Sequence, residues 1–194
     1  MKGLTAVLAL LGLCASLVSA TGCGGGSGSA TGTGAQKRCP AAWAAGWQQW
    51  ANRVRARVYC PTFLPNPLTG QIGGQWNTAR EPGTSWQLGY AWLEHDDLVH
   101  VVFEGYPTAA FPPSCEGVPC FAGKRGTETI AGHHVTWYDR NQASHTGHVA
   151  AVFRDGPDVY VVSMHVSRPY GTVHKTTQLV RQMVAGLVPV DPTK

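Results

Sequence analysis

The stretch from Val149 to Val166 constrains the fold more than any other part of this sequence. Two apolar runs flank the turn Arg154-Asp155-Gly156-Pro157, which predicts an antiparallel β-hairpin. In the register that this turn sets, Phe153 lies opposite Tyr160 on a wholly apolar face. Such a face must be buried, so the hairpin needs a second layer of structure to cover it.

The segment after the hairpin supplies that layer. Thr172 is a residue type that caps helix N-termini, and Gly186 is one that ends helices in a left-handed conformation. Between them, apolar residues recur at the spacing of one helix face. The predicted buried stripe consists of Val173, Val180, Met183, Val184 and Leu187. The carboxyl end of the chain therefore predicts a helix packed on an antiparallel sheet.

A second helix is predicted near the amino end of the domain, from Pro40 to about Ala51. Trp43, Trp47 and Trp50 recur within it at helical spacing. A stripe of indole rings can stack on sugars, but large aromatic side chains more often form the buried face of a helix. We therefore expect this stripe to pack on the sheet.

The pairing of the first two cysteines of the domain follows from segment lengths. Asn52 tolerates the left-handed helix stop, and apolar and basic residues alternate from Val54 to Cys60, which is strand periodicity. The helix is roughly 18 Å long, and the strand returns roughly 20 Å. The strand can bring Cys60 back beside Cys39, so we expect a disulfide bond between them.

Further strands are indicated in the middle of the chain. The apolar runs Trp86–Leu93 and Leu98–Tyr106 flank a polar turn and predict a second hairpin, and Ile130–Tyr138 predicts another strand. His100 and Glu104 fall on the polar face of their strand and are expected to face water. The predicted fold class is α+β: a single domain with disulfides, in which an antiparallel β-sheet of about five to six strands is packed by an N-terminal and a C-terminal helix.

The stretch from Pro107 to Gly126 has no clear period and is predicted to be irregular. It holds the two remaining cysteines of the domain, and exported chains commonly pair such cysteines. We expect a second disulfide bond, Cys115–Cys120. A long stapled loop can offer a binding surface, although it more often covers one end of a sheet.

The first residues of the chain predict export. Lys2 precedes an apolar run, Leu4–Val18, that is too short to span a bilayer comfortably. Ala20-Thr21-Gly22-Cys23 resembles the bacterial lipobox, in which the cysteine becomes the lipid-bearing first residue. Val18-Ser19-Ala20 suits ordinary signal peptidase and leaves plain secretion as the alternative. The predicted organisation is a lipoprotein signal peptide at 1–22, a lipidated Cys23 with a Gly/Ser-rich tether at 23–38, and an extracytoplasmic domain at 39–194.

Eight histidines raise the question of a metal site. The hairpin register places His148 opposite His165, and His133 could join them on the same sheet face. No carboxylate is spaced to complete a site, and sheet histidines can instead bond to each other, to Ser163 or to water. We therefore predict no metal site and no cofactor, and name these three histidines as the metal-ligand candidates.

Motifs for catalysis are sparse. Asp139, Ser144 and His145 lie close in sequence, but a catalytic triad is defined by geometry. The sequence has no Gly-x-Ser-x-Gly nucleophile elbow, no paired carboxylates in an apolar context and no glycine-rich phosphate loop. No catalytic residue is predicted, and an envelope hydrolase is the least favoured function.

The lipobox-like residues, the Gly/Ser tether and the stretch Val58–Pro65 together resemble uncharacterised bacterial lipoproteins of the actinobacterial type. The resemblance implies a small antiparallel sheet with helices on one face, and no activity. The net charge is +4, and +3 once Lys2 is removed, which is too small to argue for a nucleic-acid partner. We expect a lipid anchor on the extracytoplasmic face of the cell membrane and a non-catalytic domain that binds an unidentified protein or small molecule. The alternative is a zinc- or copper-binding lipoprotein.

Overall fold

The structure is a computed structural model that describes residues 37–66, 68, 74–79, 86–94, 97–115, 118–141, 147–166 and 171–193. These residues belong to one compact unit, Ala35–Lys194. The predicted signal peptide and the lipid attachment at Cys23 lie outside the described residues and stay predictions. Within the described part of the chain, no helix is both long enough and apolar enough to cross a bilayer.

The described residues form two helices and eleven strands. The helices are α1 (Ala41–Val54) and α2 (Val173–Ala185). The strands are β1 (Val58–Pro61), β2 (Gly74–Ala79), β3 (Trp86–Glu94), β4 (Asp97–Tyr106), β5 (Ser114–Cys115), β6 (Val118–Pro119), β7 (Phe121–Ile130), β8 (His133–Asn141), β9 (His148–Asp155), β10 (Asp158–His165) and β11 (Leu187–Val190).

Seven of the strands form one antiparallel sheet in the order β2-β3-β4-β10-β9-β8-β7, while β1 pairs with β11 and β5 with β6. The predicted α+β class, with an antiparallel sheet and two helices, is confirmed. The sheet contains two strands that the sequence did not indicate: β2, in the stretch Thr69–Gly83 whose glycines and proline predict a loop, and β7, which begins inside the stretch predicted to be irregular. Both lie at sheet edges, where glycine and polar residues are tolerated, so neither carries the apolar alternation of an inner strand.

The C-terminal hairpin has the predicted register. Phe153 lies opposite Tyr160, and Val149 opposite Met164. The side chains of Phe153 and Met164 are both 0% exposed. Gly156 takes a φ of 59° in the turn, a conformation that glycine adopts without a steric penalty.

Both helices pack on one face of the sheet, called here the helix face. The core on this face includes Trp47 and Trp50 of α1, and Val180 and Met183 of α2. The ring of Trp47 meets Phe103 of β4 edge to face, with 5.3 Å between the ring centroids. The tryptophan stripe is therefore buried core.

The first helix runs one turn further than predicted. Its left-handed C-terminal residue is Arg55, with a φ of 53°, in place of Asn52. Alternation of arginine with apolar residues is typical of a strand. In the structure the first of these residues continue the helix, because Val54 is buried in the core there. The chain then reverses, and β1 brings Cys60 beside Cys39 with 5.7 Å between their Cα atoms. The predicted disulfide bond Cys39–Cys60 is confirmed.

The second helix begins as predicted, because the side chain of Thr172 accepts a hydrogen bond from the backbone N–H of Lys175. Val173 was wrongly placed in the buried stripe and is 39% exposed. Gly186 is not left-handed. A Cβ atom there would collide with Oγ1 of Thr62, so the glycine permits a close approach of the two segments.

The opposite face of the sheet, called here the second face, carries no helix among the described residues, yet its central strands are buried. The described parts of 106–121, called here the covering segment, contribute Tyr106, Ala109, Cys120 and Phe121 to the packing on this face. Cys120 and Phe121 join Ala150, Val152 and Val161 in a separate buried cluster. Cys120 is disulfide-bonded. The side chain of Cys115 lies outside the described residues, so the pairing Cys115–Cys120 stays a prediction.

Candidate functional site

Three histidines lie in one row across three neighbouring strands of the second face, and we call them the histidine row. His148 of β9 lies opposite His165 of β10, as the hairpin register predicted. Val101 of β4 lies opposite Met164 of β10. The residue before Val101, His100, is therefore next to His165 in the same row.

The three imidazole rings are in mutual contact. Nε2 of His100 and Nε2 of His148 are 3.1 Å apart, which is hydrogen-bonding distance. The ring of His165 stacks on that of His100, with 5.2 Å between centroids and 19° between planes. The centroids of His148 and His165 are 5.1 Å apart.

The row lies largely out of water. His148 is 2% exposed, and His100 and His165 are partly buried. Burial, with a smaller contribution from His165, lowers the pKa of His100 to about 4. Burial, together with the two neighbouring imidazoles, lowers the pKa of His148 to about 3. Both rings are therefore neutral near pH 7, and one Nε2–H donates to the other Nε2.

Polar groups continue beyond the row on the second face. In the next row, Ser163 lies between Val102 and Ala150 and is 0% exposed. Nδ1 of His148 and Oγ of Ser163 are buried and have no hydrogen-bond partner within the part of the chain that the structure describes. Buried polar atoms are nearly always paired, so these two mark a place where a water or a ligand can complete the structure.

The structure corrects the membership of the predicted histidine group. His133 is on the helix face, where its ring contacts Phe153, with 4.4 Å between centroids, and Tyr59. It therefore does not join His148 and His165. Its place is taken by His100, which sequence reasoning assigned to the water-facing side of its strand.

The expectation that Glu104 faces water is also wrong. Glu104 is 5% exposed and accepts a 2.6 Å hydrogen bond from the hydroxyl of Tyr106. The alternation of the strand gave the correct face for both His100 and Glu104. The sequence did not show that β4 pairs with β10. This pairing makes β4 an inner strand of the sheet, where its second face is covered.

A second polar cluster lies at the other end of the hairpin. The carboxylate of Asp155 accepts hydrogen bonds from the hydroxyl of Tyr59, at 2.6 Å, and from Arg57, at 2.9 Å. These two bonds lower the pKa of Asp155. Arg57 also pairs with Asp191, so the cluster ties the β1–β11 ribbon to the hairpin. Its groups are satisfied by one another, which fits a structural role.

A groove of about 380 Å³ opens between α2 and β7. Arg181 of α2 forms an ion pair with Glu128 of β7 at 2.8 Å, and its guanidinium group lies over the ring of Trp137. The indole N–H of Trp137 donates to the same carboxylate at 2.7 Å. The hydrogen bond from Arg181 is the largest cause of the lowered pKa of Glu128.

The residues considered for hydrolysis do not form a described site. Asp139 pairs with Arg125 at 3.2 Å on a partly exposed surface. Ser144 and His145 lie outside the described residues.

Within the described ranges, no group of three or more His, Cys, Asp or Glu side chains is arranged to hold a metal ion as it stands. Comparison of the chain with family models, curated proteins and solved structures finds no match. The histidine row is the arrangement that a packing role explains least. It combines a hydrogen-bonded imidazole pair, a third ring beside it and two buried polar atoms that nothing described here satisfies.

Proposed function

We propose that this protein is a lipoprotein anchored to the extracytoplasmic face of the cell membrane, whose domain binds a ligand without catalysis at the histidine row. The observation that carries the binding part is the pair of buried atoms, Nδ1 of His148 and Oγ of Ser163, with no partner among the described residues. Leaving such atoms unpaired costs roughly 1–3 kcal/mol each. A ligand that pairs them would recover that free energy on binding.

The protonation state of the row favours binding over acid–base chemistry. A general acid or base works best when its pKa lies near the operating pH. The pKa values of His100 and His148 are about 4 and about 3, because both rings are desolvated. Near neutral pH these rings stay uncharged and offer fixed N–H groups and lone pairs to a bound molecule.

Two features support the anchor. Cys23 stands at the end of a lipobox-like sequence, and the Gly/Ser-rich segment after it has the composition of a flexible tether. The domain contains the disulfide bond Cys39–Cys60. Disulfide bonds persist in oxidising compartments outside the cytoplasm, which agrees with export.

The anchor is tested by expressing the full-length chain in a bacterial host fed a radiolabelled fatty acid. We expect label in the protein and recovery of the protein with the membranes, because acylation of Cys23 supplies the anchor. Cys23→Ala should abolish both, while Cys14→Ala, which changes a cysteine inside the predicted signal peptide, should change neither. An unlabelled wild-type protein in the culture medium would refute the anchor and support secretion.

The binding site is tested by thermal unfolding of the protein with a panel of sugars, amino acids and small carboxylates. A compound that binds the native state raises the melting temperature. We expect the increase in the wild type and in His174→Asn, which changes an exposed histidine of α2, and a smaller increase in His100→Asn. A compound that stabilises His100→Asn as much as the wild type would place binding elsewhere.

A further inference from the structure

The two facing imidazole nitrogens have the spacing of two adjacent ligands of one metal ion. Nε2 of His100 and Nε2 of His148 are 3.1 Å apart. With metal–nitrogen bonds of about 2.05 Å, that separation corresponds to a nitrogen–metal–nitrogen angle of about 98°. The angle lies between those of square-planar and tetrahedral coordination, the geometries that Cu²⁺ and Zn²⁺ adopt with imidazole.

We propose that the histidine row binds one divalent copper or zinc ion through Nε2 of His100 and Nε2 of His148, with His165 as a third ligand. The ion replaces the hydrogen bond between the two nitrogens and lies to one side of the line that joins them. This inference rests on the proposed binding function and adds to it a metal ion, held at the Nε2 atoms, beside the ligand that pairs Nδ1 of His148 and Oγ of Ser163. The remaining coordination positions are filled by water.

His165 reaches the ion by side-chain rotation. Its ring is already stacked on that of His100 and lies 5.1 Å from that of His148, centroid to centroid. In its present orientation it does not complete a three-ligand site, in agreement with the absence of such a group among the residues described. His165 is only partly buried.

The chemistry of the row suits an ion of this class. Neutral imidazole binds late first-row metal ions, and these rings stay neutral near pH 7 because burial lowers their pKa values. The ring that now donates through Nε2 must carry its proton on Nδ1 instead. The change is a tautomer shift within one ring, so the protein releases no net proton when the ion binds.

The test is calorimetric titration of the full-length protein, purified without a histidine tag and stripped with a chelator, with CuSO₄ or ZnCl₂ near neutral pH. We expect one ion per chain and a higher melting temperature in its presence. His148→Asn should weaken the binding about a hundredfold or more, because one of the two facing nitrogen ligands is lost. His134→Asn and His174→Asn change exposed histidines and should bind as the wild type does.

His148 is buried, so its substitution also affects folding, and two further measurements test the proposal without it. His100→Asn changes the less buried partner and should weaken binding similarly. The electron paramagnetic resonance spectrum of the wild-type copper complex should show coupling to two or three imidazole nitrogens, which needs no variant.

Substoichiometric binding, binding that survives both substitutions, or a copper spectrum without nitrogen coupling would each overturn the proposal and leave the imidazole pair as a structural hydrogen bond. The two ions are distinguished by their separate titrations. The fatty-acid labelling of Cys23 and the small-molecule panel do not involve the ion. Failure of the metal inference is therefore distinguishable from failure of the proposed function.

Discussion

The helix face and the second face of the sheet are formed by alternate residues of the same strands, and both are buried, but their contents differ. On β10 the helix face presents Tyr160, Val162 and Met164, which pack under two helices. The second face of the same strand presents Ser163 and His165, beside the buried His148. Apolar burial stabilises the fold, whereas burial of imidazoles and a hydroxyl costs free energy. The stability of the fold explains the apolar residues of the helix face. The polar residues buried on the second face require a further reason.

The largest expected effect is on the helix face. Phe153 is fully buried, and its ring meets Tyr59 and Tyr160 with centroids 5.6 and 5.7 Å apart. Phe153→Ala should lower the free energy of unfolding by about 3–5 kcal/mol, because it removes apolar contacts and leaves a cavity. Chemical denaturation monitored by tryptophan fluorescence measures this loss.

Thr127→Ala, on the exposed part of β7, is the control and should change the free energy of unfolding by less than about 0.5 kcal/mol. A loss at Phe153 no greater than at Thr127 would mean that the hairpin is not the centre of the core.

The parts of the fold that could be predicted are those set by local pattern. The register of β9 and β10 follows from one turn, and the Cys39–Cys60 bond follows from two segment lengths. The β1–β11 ribbon could not be predicted in the same way, because its strands are four residues long and join distant parts of the chain. Pro189 in β11 also argues against a strand by local criteria.

The candidate site could be predicted only where it depends on local pattern. His148 and His165 share a hairpin, so their proximity is a local property. His100 reaches them through the pairing of β4 with β10, a contact between residues far apart in sequence. His133 was grouped with them as a histidine of a neighbouring strand. Val135 lies opposite Phe153 of β9, which puts Val135, and with it His133 two residues earlier, on the helix face.

The second largest expected effect is a loss of stability in acid, caused by the histidines of the second face. The pKa values of His100 and His148 are lower in the folded protein than the usual unfolded value of about 6.5. Below about pH 6.5 the unfolded chain binds protons that the folded chain does not, so stability falls as the pH falls. Between about pH 7.5 and about pH 5.5 the two rings should together cost about 2–3 kcal/mol. Denaturation at a series of pH values measures the loss.

The matched variant for this prediction is His100→Leu combined with His148→Leu, which replaces both hydrogen-bonding partners by apolar groups. It should be nearly as stable as the wild type at neutral pH and should lose most of the acid dependence. His133, whose pKa burial also lowers, accounts for a remainder of the same sign. Asp155 and Glu128 have lowered pKa values, so their contributions are lost only at lower pH. An unchanged pH profile in the double variant would contradict the desolvation of the row.

The smallest expected effect is the difference between the stability losses caused by substituting two neighbouring valines that lie on opposite faces of the sheet. Val161 lies on the second face between Glu104 and Val152, and Val162 lies on the helix face between Phe103 and Ala151. Replacing either by alanine removes two buried carbons and should cost about 2 kcal/mol. Because both side chains are buried, we expect the two losses to differ by less than about 1 kcal/mol when both variants are denatured under the same conditions. If Val161→Ala cost far less than Val162→Ala, the covering segment would pack more loosely than the helices do. The second face would then be less completely desolvated than the helix face, and the free-energy cost assigned to the polar atoms buried on it would be too high.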